Sequence, residues 1–179
     1  KEEEDMDNIE QIRKLIVSSR GLPWACQLKF YGNISSKNKH FRYPVTVDYR
    51  MTLRQMIDAG RYDWENDYIE NFQVKGEGTV DLWLDLIHLD KVVSTKEVEV
   101  HLEAKGLRAA TLEELLVFGA FYPDVQREFL VVALGSSWVN PSGDRGVPYL
   151  SRNGSERDLS LYWDVNGWDE DCRFLAVRK

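Results

Sequence analysis

Cysteine is scarce in this chain: two in 179 residues, Cys26 and Cys172. That excludes a disulfide framework. One bridge is the most the pair can form, and two free thiols in a reducing compartment is the favoured reading. Histidine is scarce too. His40, His88 and His101 are scattered, and no Cys/His spacing resembles a zinc site. No run approaches the ~18 consecutive apolar residues of a membrane helix, so no membrane span is expected. Positive charge is in deficit, with 23 basic against 30 acidic side chains and a net charge of -7. A general nucleic-acid binder needs clustered Lys and Arg, so nucleic acid is not an expected partner. The start, Lys1-Glu2-Glu3-Glu4-Asp5, is unlike a signal peptide, which favours a cytoplasmic location, although processing could have removed a leader. Catalytic signatures are also missing: no G-x-S-x-G elbow, no phosphate-cradling glycine loop, no H-E-x-x-H. No catalytic residue, metal or cofactor is therefore expected.

What remains is an ordinary globular composition, 43% hydrophobic and 30% charged. Residues 1–20 read as a helix with an acidic start, with Ile9, Ile12, Leu15 and Ile16 at helical spacing. It is either a docking helix, through which the chain would form a homo-oligomer, or a core-packing helix. Gln27–Tyr31 and Tyr43–Tyr49 read as extended, with a polar loop between them. Thr52-Leu53-Arg54-Gln55 fits a capping box, predicting a short helix to about Ala59 closed by Gly60. Arg61–Asp67 reads as a loop. Lys75-Gly76-Glu77-Gly78 reads as a flexible joint and the best internal boundary, giving segments 1–76 and 77–179.

Beyond that joint the pattern is sharper. Val80, Leu82, Leu84 and Leu86 alternate with Asp81, Trp83, Asp85 and Ile87, predicting a strand over Thr79–Leu89. Capping boxes at Ser94–Glu97 and Thr111–Glu114 predict two helices, the first with a Val93/Val98 staple and a stop at Gly106. Gly119 and Pro123 are expected to limit the second. Phe129–Leu134 is a continuous apolar run suited to a strand buried on both faces. Val147–Leu150, Leu159–Trp163 and Arg173–Val177 read as shorter strands separated by Asn/Gly turns.

Among the candidates for chemistry, the acidic runs Glu113-Glu114 and Asp169-Glu170-Asp171 read as solvated faces. Cys172 is a candidate nucleophile with no histidine near it in sequence. The segment Tyr149–Cys172 is made mostly of Tyr, Trp, Ser, Asn, Gly, Asp and Arg. Antibody-type binding surfaces share that mixture, since rigid aromatics give contact area at low entropy cost and short polar side chains adapt their hydrogen bonds. In Leu159–Trp163, alternation puts Leu159, Leu161 and Trp163 on an inner side and Ser160 and Tyr162 outside. An ordinary small β-domain with polar turns is the plainer alternative.

Three strings carry a resemblance: Val132-Ala133-Leu134-Gly135-Ser136-Ser137-Trp138, Arg157-Asp158-Leu159-Ser160-Leu161-Tyr162-Trp163, and Cys172-Arg173-Phe174-Leu175-Ala176-Val177-Arg178 after Trp168. With them the C-terminal half resembles the C-type lectin-fold variable proteins of diversity-generating retroelements. Val47–Lys179 is similar to multicopy proteins of small-genome candidate-phylum bacteria, through L-x-x-M-I-x-A-G-x-Y-D-W at Leu53–Trp64, Y-P-x-x-Q-R-E-F at Tyr122–Phe129 and R-F-L-A-V-R-K at Arg173–Lys179. The resemblance implies an α+β chain with a C-type lectin-like fold in its C-terminal part, first and last strands paired and two helices flanking them. It also implies a fixed scaffold whose surface residues vary because a reverse transcriptase copies a template with errors. The implied ligand-binding positions are Tyr149, Ser151, Arg152, Ser160, Tyr162, Asp164, Val165, Asn166, Gly167, Asp169, Asp171 and Cys172. Leu159, Leu161, Trp163, Trp168 and Phe174 would be scaffold. The implied partner is a macromolecule, favouring a protein. Trp138-Val139-Asn140-Pro141 and Trp64-Glu65-Asn66-Asp67 match neither motif of calcium-dependent sugar-binding lectins. Two other readings stand beside this one: a non-diversified interaction module on the same scaffold, and a sulfatase-modifying-like enzyme around Cys172 and His88.

Overall fold

Alternation along Thr79–His88 sends Leu82, Leu84 and Leu86 to one side and Ile87 to the other, and the fold takes up both sides. The computed structural model describes residues 42–163 and 167–179, all within one compact unit that ends at Lys179. The expected helix over 1–20, the extended segment Gln27–Tyr31, Cys26 and the positions Asp164, Val165 and Asn166 lie outside the described residues.

Among the described residues the architecture is mixed α+β: an open nine-stranded sheet with four α-helices. The strands are β1 (Arg42–Asp48), β2 (Trp64–Glu65), β3 (Thr79–His88), β4 (Leu107–Ala109), β5 (Leu130–Val132), β6 (Trp138–Val139), β7 (Arg145–Asn153), β8 (Glu156–Trp163) and β9 (Cys172–Arg178). The helices are α1 (Leu53–Gly60), α2 (Thr95–Ala104), α3 (Leu112–Phe121) and α4 (Pro123–Glu128). Strand order is β1-β3-β9-β5-β7-β8-β2, with β4 paired to β9 and β6 to β7. The last strand thus pairs with the strand at Thr79, antiparallel, with Leu84 opposite Val177 and His88 opposite Arg173. β5 joins β9 in parallel, and the long connection this requires runs through β6, β7 and β8, whereas α2, β4, α3 and α4 lie between β3 and β5.

Two apolar clusters sandwich the sheet. The larger joins α1 and α3 to β1, β3, β5, β8 and β9 through Met56, Leu116, Phe118, Val131, Leu159 and Leu175, among others. The smaller joins α2 to the opposite face through Val98, Leu102, Val132, Val147, Trp168 and Phe174. Val131 and Val132 are both fully buried, as a strand covered on both faces must be. Each such side chain contributes about 1.5–3 kcal/mol by leaving water.

Local chemistry explains the helix ends. Thr52 and Ser94 each close a reciprocal capping box, with Gln55 and Glu97. Gly106, at φ 68°, follows the end of α2. α1 ends differently from expectation: Gly60 is its last residue, and Arg61 takes the left-handed conformation at φ 49°. Gly60 is small for another reason, because a Cβ there would lie 2.3 Å from the Tyr62 ring.

Several expectations need correction. Gly119 does not end α3, which runs on to Phe121; a Cβ at Gly119 would strike the Tyr62 hydroxyl and Leu150. α4 begins on Pro123 at its first turn, where proline is tolerated. Trp64-Glu65, expected in a loop, adds a short parallel strand beside β8. The joint at Lys75–Gly78 is pinned. Tyr49 N–H donates to Gly78 O at 2.8 Å, the Tyr49 ring lies where a Cβ of Gly76 would go, and Lys75 N–H donates to Glu113 at 2.5 Å. β1 pairs with β3 across that joint, so the 76/77 boundary falls inside the unit. Glu113 and Glu114 are buried rather than solvated, because Glu114 holds a two-pronged ion pair with Arg108, at 2.6 and 2.9 Å.

Candidate functional site

The β7–β8 hairpin carries most of the candidate positions. Its turn is Gly154-Ser155, with Gly154 at φ 62° and Asn153 opposite Glu156. Register then sets the faces. Leu150 lies opposite Leu159 and Pro148 opposite Leu161, and the three leucines enter the larger core. On the other face Val147 lies opposite Tyr162, Tyr149 opposite Ser160, and Ser151 opposite Asp158. Val147 is buried there, whereas Tyr149 and Tyr162 pack half-buried on the smaller core, their rings 6.2 Å apart. Tyr162 leans on Trp168 at 5.0 Å, and Trp168 in turn meets Phe174 edge-on at 5.8 Å. Trp168 is fully buried and its Nε1–H donates to Thr95 Oγ1 at 3.0 Å.

The structure therefore brings Tyr149, Ser151, Ser160 and Tyr162 to one face. Gly167 adjoins them through Trp168, and Asp169 and Asp171 are exposed on the turn that leads into β9. Three candidates depart from the expected exposure or side. Ser160 points away from Leu159 and Leu161 but is only 8% exposed, sunk between neighbours that are larger. Cys172 is 6% exposed and belongs to the smaller core. Arg152 is exposed, yet alternation places it on the face of its register partner Arg157, away from Tyr149 and Ser151. Trp163, expected inside, is half-buried at the rim of the larger core.

Two residues of this face had no sequence signal strong enough to nominate them. Asp158 stands opposite Ser151, and Trp64, half-exposed, stands beside Asp158 in register. Trp64 reaches the face through a two-residue strand, too short for any periodicity to show.

The hairpin is held from behind by a buried arginine. Arg157 is 5% exposed, and its guanidinium donates to Gly60 O (2.7 Å), Gly119 O (2.6 Å) and Gln126 Oε1 (2.9 Å) while lying over the Tyr62 ring at 5.1 Å. Gln126 passes the connection on, donating to Ser151 O and Asp158 O at 2.7 and 2.9 Å. Asp63 accepts from the Arg157 N–H at 2.8 Å. The G-x-Y-D-W and Y-P-x-x-Q strings thus meet in one knot, which fixes the hairpin against α1, α3 and α4. Gly135-Ser136-Ser137-Trp138 is structural as well. A Cβ on Gly135 would lie 2.6 Å from Ala110 O, and Ser136 Oγ accepts from Leu112 N–H at 2.8 Å at the start of α3. Trp138 stacks on Tyr68 at 5.2 Å and meets Trp163, which packs on the larger core, at 5.9 Å.

Burial pushes the Cys172 thiol up, by more than the backbone hydrogen bond at Asp169 lowers it, so its nucleophilic thiolate is disfavoured. His88 pairs in register with Arg173, so alternation sends Cys172 to the opposite face from it. Among the described residues no group of three or more His, Cys, Asp or Glu is placed to hold a metal. A cleft of about 210 Å³ lies beside α1, lined by Arg54, Asp58, Arg61 and Glu65 among others. It is smaller than a typical small-molecule pocket, and Arg54 is already paired with Asp58 and Glu65. No helix among the described residues is long and apolar enough to cross a membrane. Comparison with protein-family models, with curated proteins and with solved structures finds no match.

Proposed function

We propose that this chain is a ligand-binding protein, without catalytic activity, that presents a replaceable surface on the β7–β8 hairpin of a C-type lectin-like scaffold. The observation that carries this reading is the split of the hairpin. Leu150, Leu159 and Leu161 anchor it in the core, while Tyr149, Ser151 and Tyr162 stand half-exposed on the other side. Such a surface can change side chains without disturbing the fold, because its contribution to the core is small. Topology supports the scaffold: the strand at Thr79–His88 paired with the last, helices between β3 and β5, and a hairpin beyond. The described residues of this face line an open surface, which suits a macromolecule, and its aromatic and hydroxyl composition suits a protein.

Diversification by a retroelement is the finer part of the proposal, and it rests on the resemblance. The gene tests it. The expected result is a near-identical template repeat beside the 3′ end, a neighbouring reverse transcriptase, and adenine-directed changes confined to codons of Tyr149–Cys172 in sibling copies. Changes scattered over the whole gene would favour a fixed interaction module on the same fold.

A further inference from the structure

The cleft beside α1 has a lining of its own, apart from the hairpin. Arg54, Ile57, Asp58 and Arg61 follow one side of the helix and its end, and the returning chain, Asp63-Trp64-Glu65, forms the rest of the wall. At about 210 Å³ the cleft is below the ~300 Å³ of sites for drug-sized ligands, so its occupant is small. Some of its charges are already matched. Arg54 donates to Asp58 Oδ1 through Nε and Nη2, at 2.8 and 2.6 Å, and to Glu65 Oε1 through Nη1 at 2.5 Å. Two carboxylates on one guanidinium leave negative charge in excess. Asp63 adds to it. Its side chain is exposed, and among the described residues its carboxylate accepts one bond, from the Arg157 backbone N–H at 2.8 Å. Of opposite sign is Arg61, exposed, whose guanidinium has no hydrogen bond or ion pair among the described residues. Arg61 also sits where glycine is the usual residue, at φ 49° in the left-handed region, so a cation is kept there against the backbone preference. Trp64, 49% exposed, supplies an aromatic wall.

A lone anion would meet three carboxylates in this cleft, and a lone cation two guanidiniums. A molecule that carries both charges complements both unmatched sets. We infer that the cleft binds a small zwitterion of the α-amino acid type, with its carboxylate on Arg61, its ammonium among Asp63, Asp58 and Glu65, and its carbon chain against the Trp64 ring. The site goes beyond the hairpin reading and is separable from it, because Arg61 and Asp63 lie outside Tyr149–Cys172 and the cleft is formed whatever the hairpin binds.

Titration of the full chain, followed through the indole N–H resonance of Trp64, tests this, with Trp64→Phe assigning the signal. The probes are L-leucine and L-phenylalanine, leucinamide, which lacks the carboxylate, N-acetyl-leucine, which lacks the ammonium, and glucose, which lacks both. The expected result is a saturable shift with the two amino acids, and binding weaker by about fivefold or more for the amide and the acetyl form. Two variants keep the fold while removing one charge each. Arg61→Gly relieves the left-handed backbone, so its melting temperature should hold or rise while amino acid binding falls. Asp63→Asn retains an oxygen for the Arg157 N–H and should weaken binding in the same way. Glucose binding as tightly as the amino acids, or amide and acetyl forms binding equally, would overturn the zwitterion. Amino acid binding undiminished in folded Arg61→Gly and Asp63→Asn would overturn the assigned roles, and no saturable shift from any probe would overturn the site.

Discussion

Tyr162 and Trp168 touch, yet they do different work. Trp168 is fully buried, hydrogen-bonded to Thr95 and packed on Phe174, so Trp168→Ala leaves a cavity and should cost about 3–5 kcal/mol of stability. Tyr162 is half-exposed, and Tyr162→Ala should cost less than about 2 kcal/mol. Denaturant unfolding of the two variants checks the difference, and equal losses would contradict the division into face and scaffold. Cys172 gives a second residue-level prediction. Its thiol is buried and pushed up, so iodoacetamide at neutral pH should label it only after unfolding, as peptide mapping resolves from Cys26. Tyr49 gives a third. Burial, with Glu114 and Glu113 nearby, pushes its hydroxyl up to about 12. Its folded value exceeds the ordinary value of about 10, so its contribution is intact below pH ~10 and is lost as pH rises towards ~12. Tyr49→Phe should flatten that part of the alkaline stability profile.

The elements that sequence made legible are those whose own pattern carries the information. The period-two run at Thr79–His88, the reciprocal caps at Thr52 and Ser94, and the apolar run at Leu130–Val132 are local signals, and the fold obeys them. On β8 the alternation of Leu159 and Leu161 against Ser160 and Tyr162 was legible too, though the burial of Ser160 was not, because burial depends on neighbouring strands. What stayed hidden is long-range. Nothing near Arg157 in sequence says that Gly60, Gly119 and Gln126 will converge on it, nor that Glu114 will pair with Arg108 below the surface. The arginine knot should matter accordingly. Arg157→Met strands two carbonyls and a glutamine in the interior, each worth about 1–3 kcal/mol, so thermal unfolding should shift down strongly. Wild-type stability in that variant would show that the hairpin needs no such anchor. Gly135→Ala should destabilise as well, since the Ala110 carbonyl occupies the added methyl's space.

At the scale of the whole molecule, one sheet separates two tasks. One face meets α1 and α3 in the larger core, while the other divides between the smaller core under α2 and the partly open surface of β7 and β8. The open part lies at the side of the sheet that ends in β8 and β2, away from the central β3–β9–β5 strands. Change there is buffered from the core by the fully buried backing of Val131, Leu150 and Leu159. On this reading the backing is fixed and the exterior replaceable. A saturation scan of residues 149–172, displayed on cells and sorted by protease resistance, measures it directly. Tyr149, Ser151, Tyr162, Asp169 and Asp171 should accept most replacements, while Leu150, Leu159, Leu161, Trp168 and Cys172 should reject charged ones. Intolerance at Tyr149, Ser151 and Tyr162 equal to that of the leucines would contradict it.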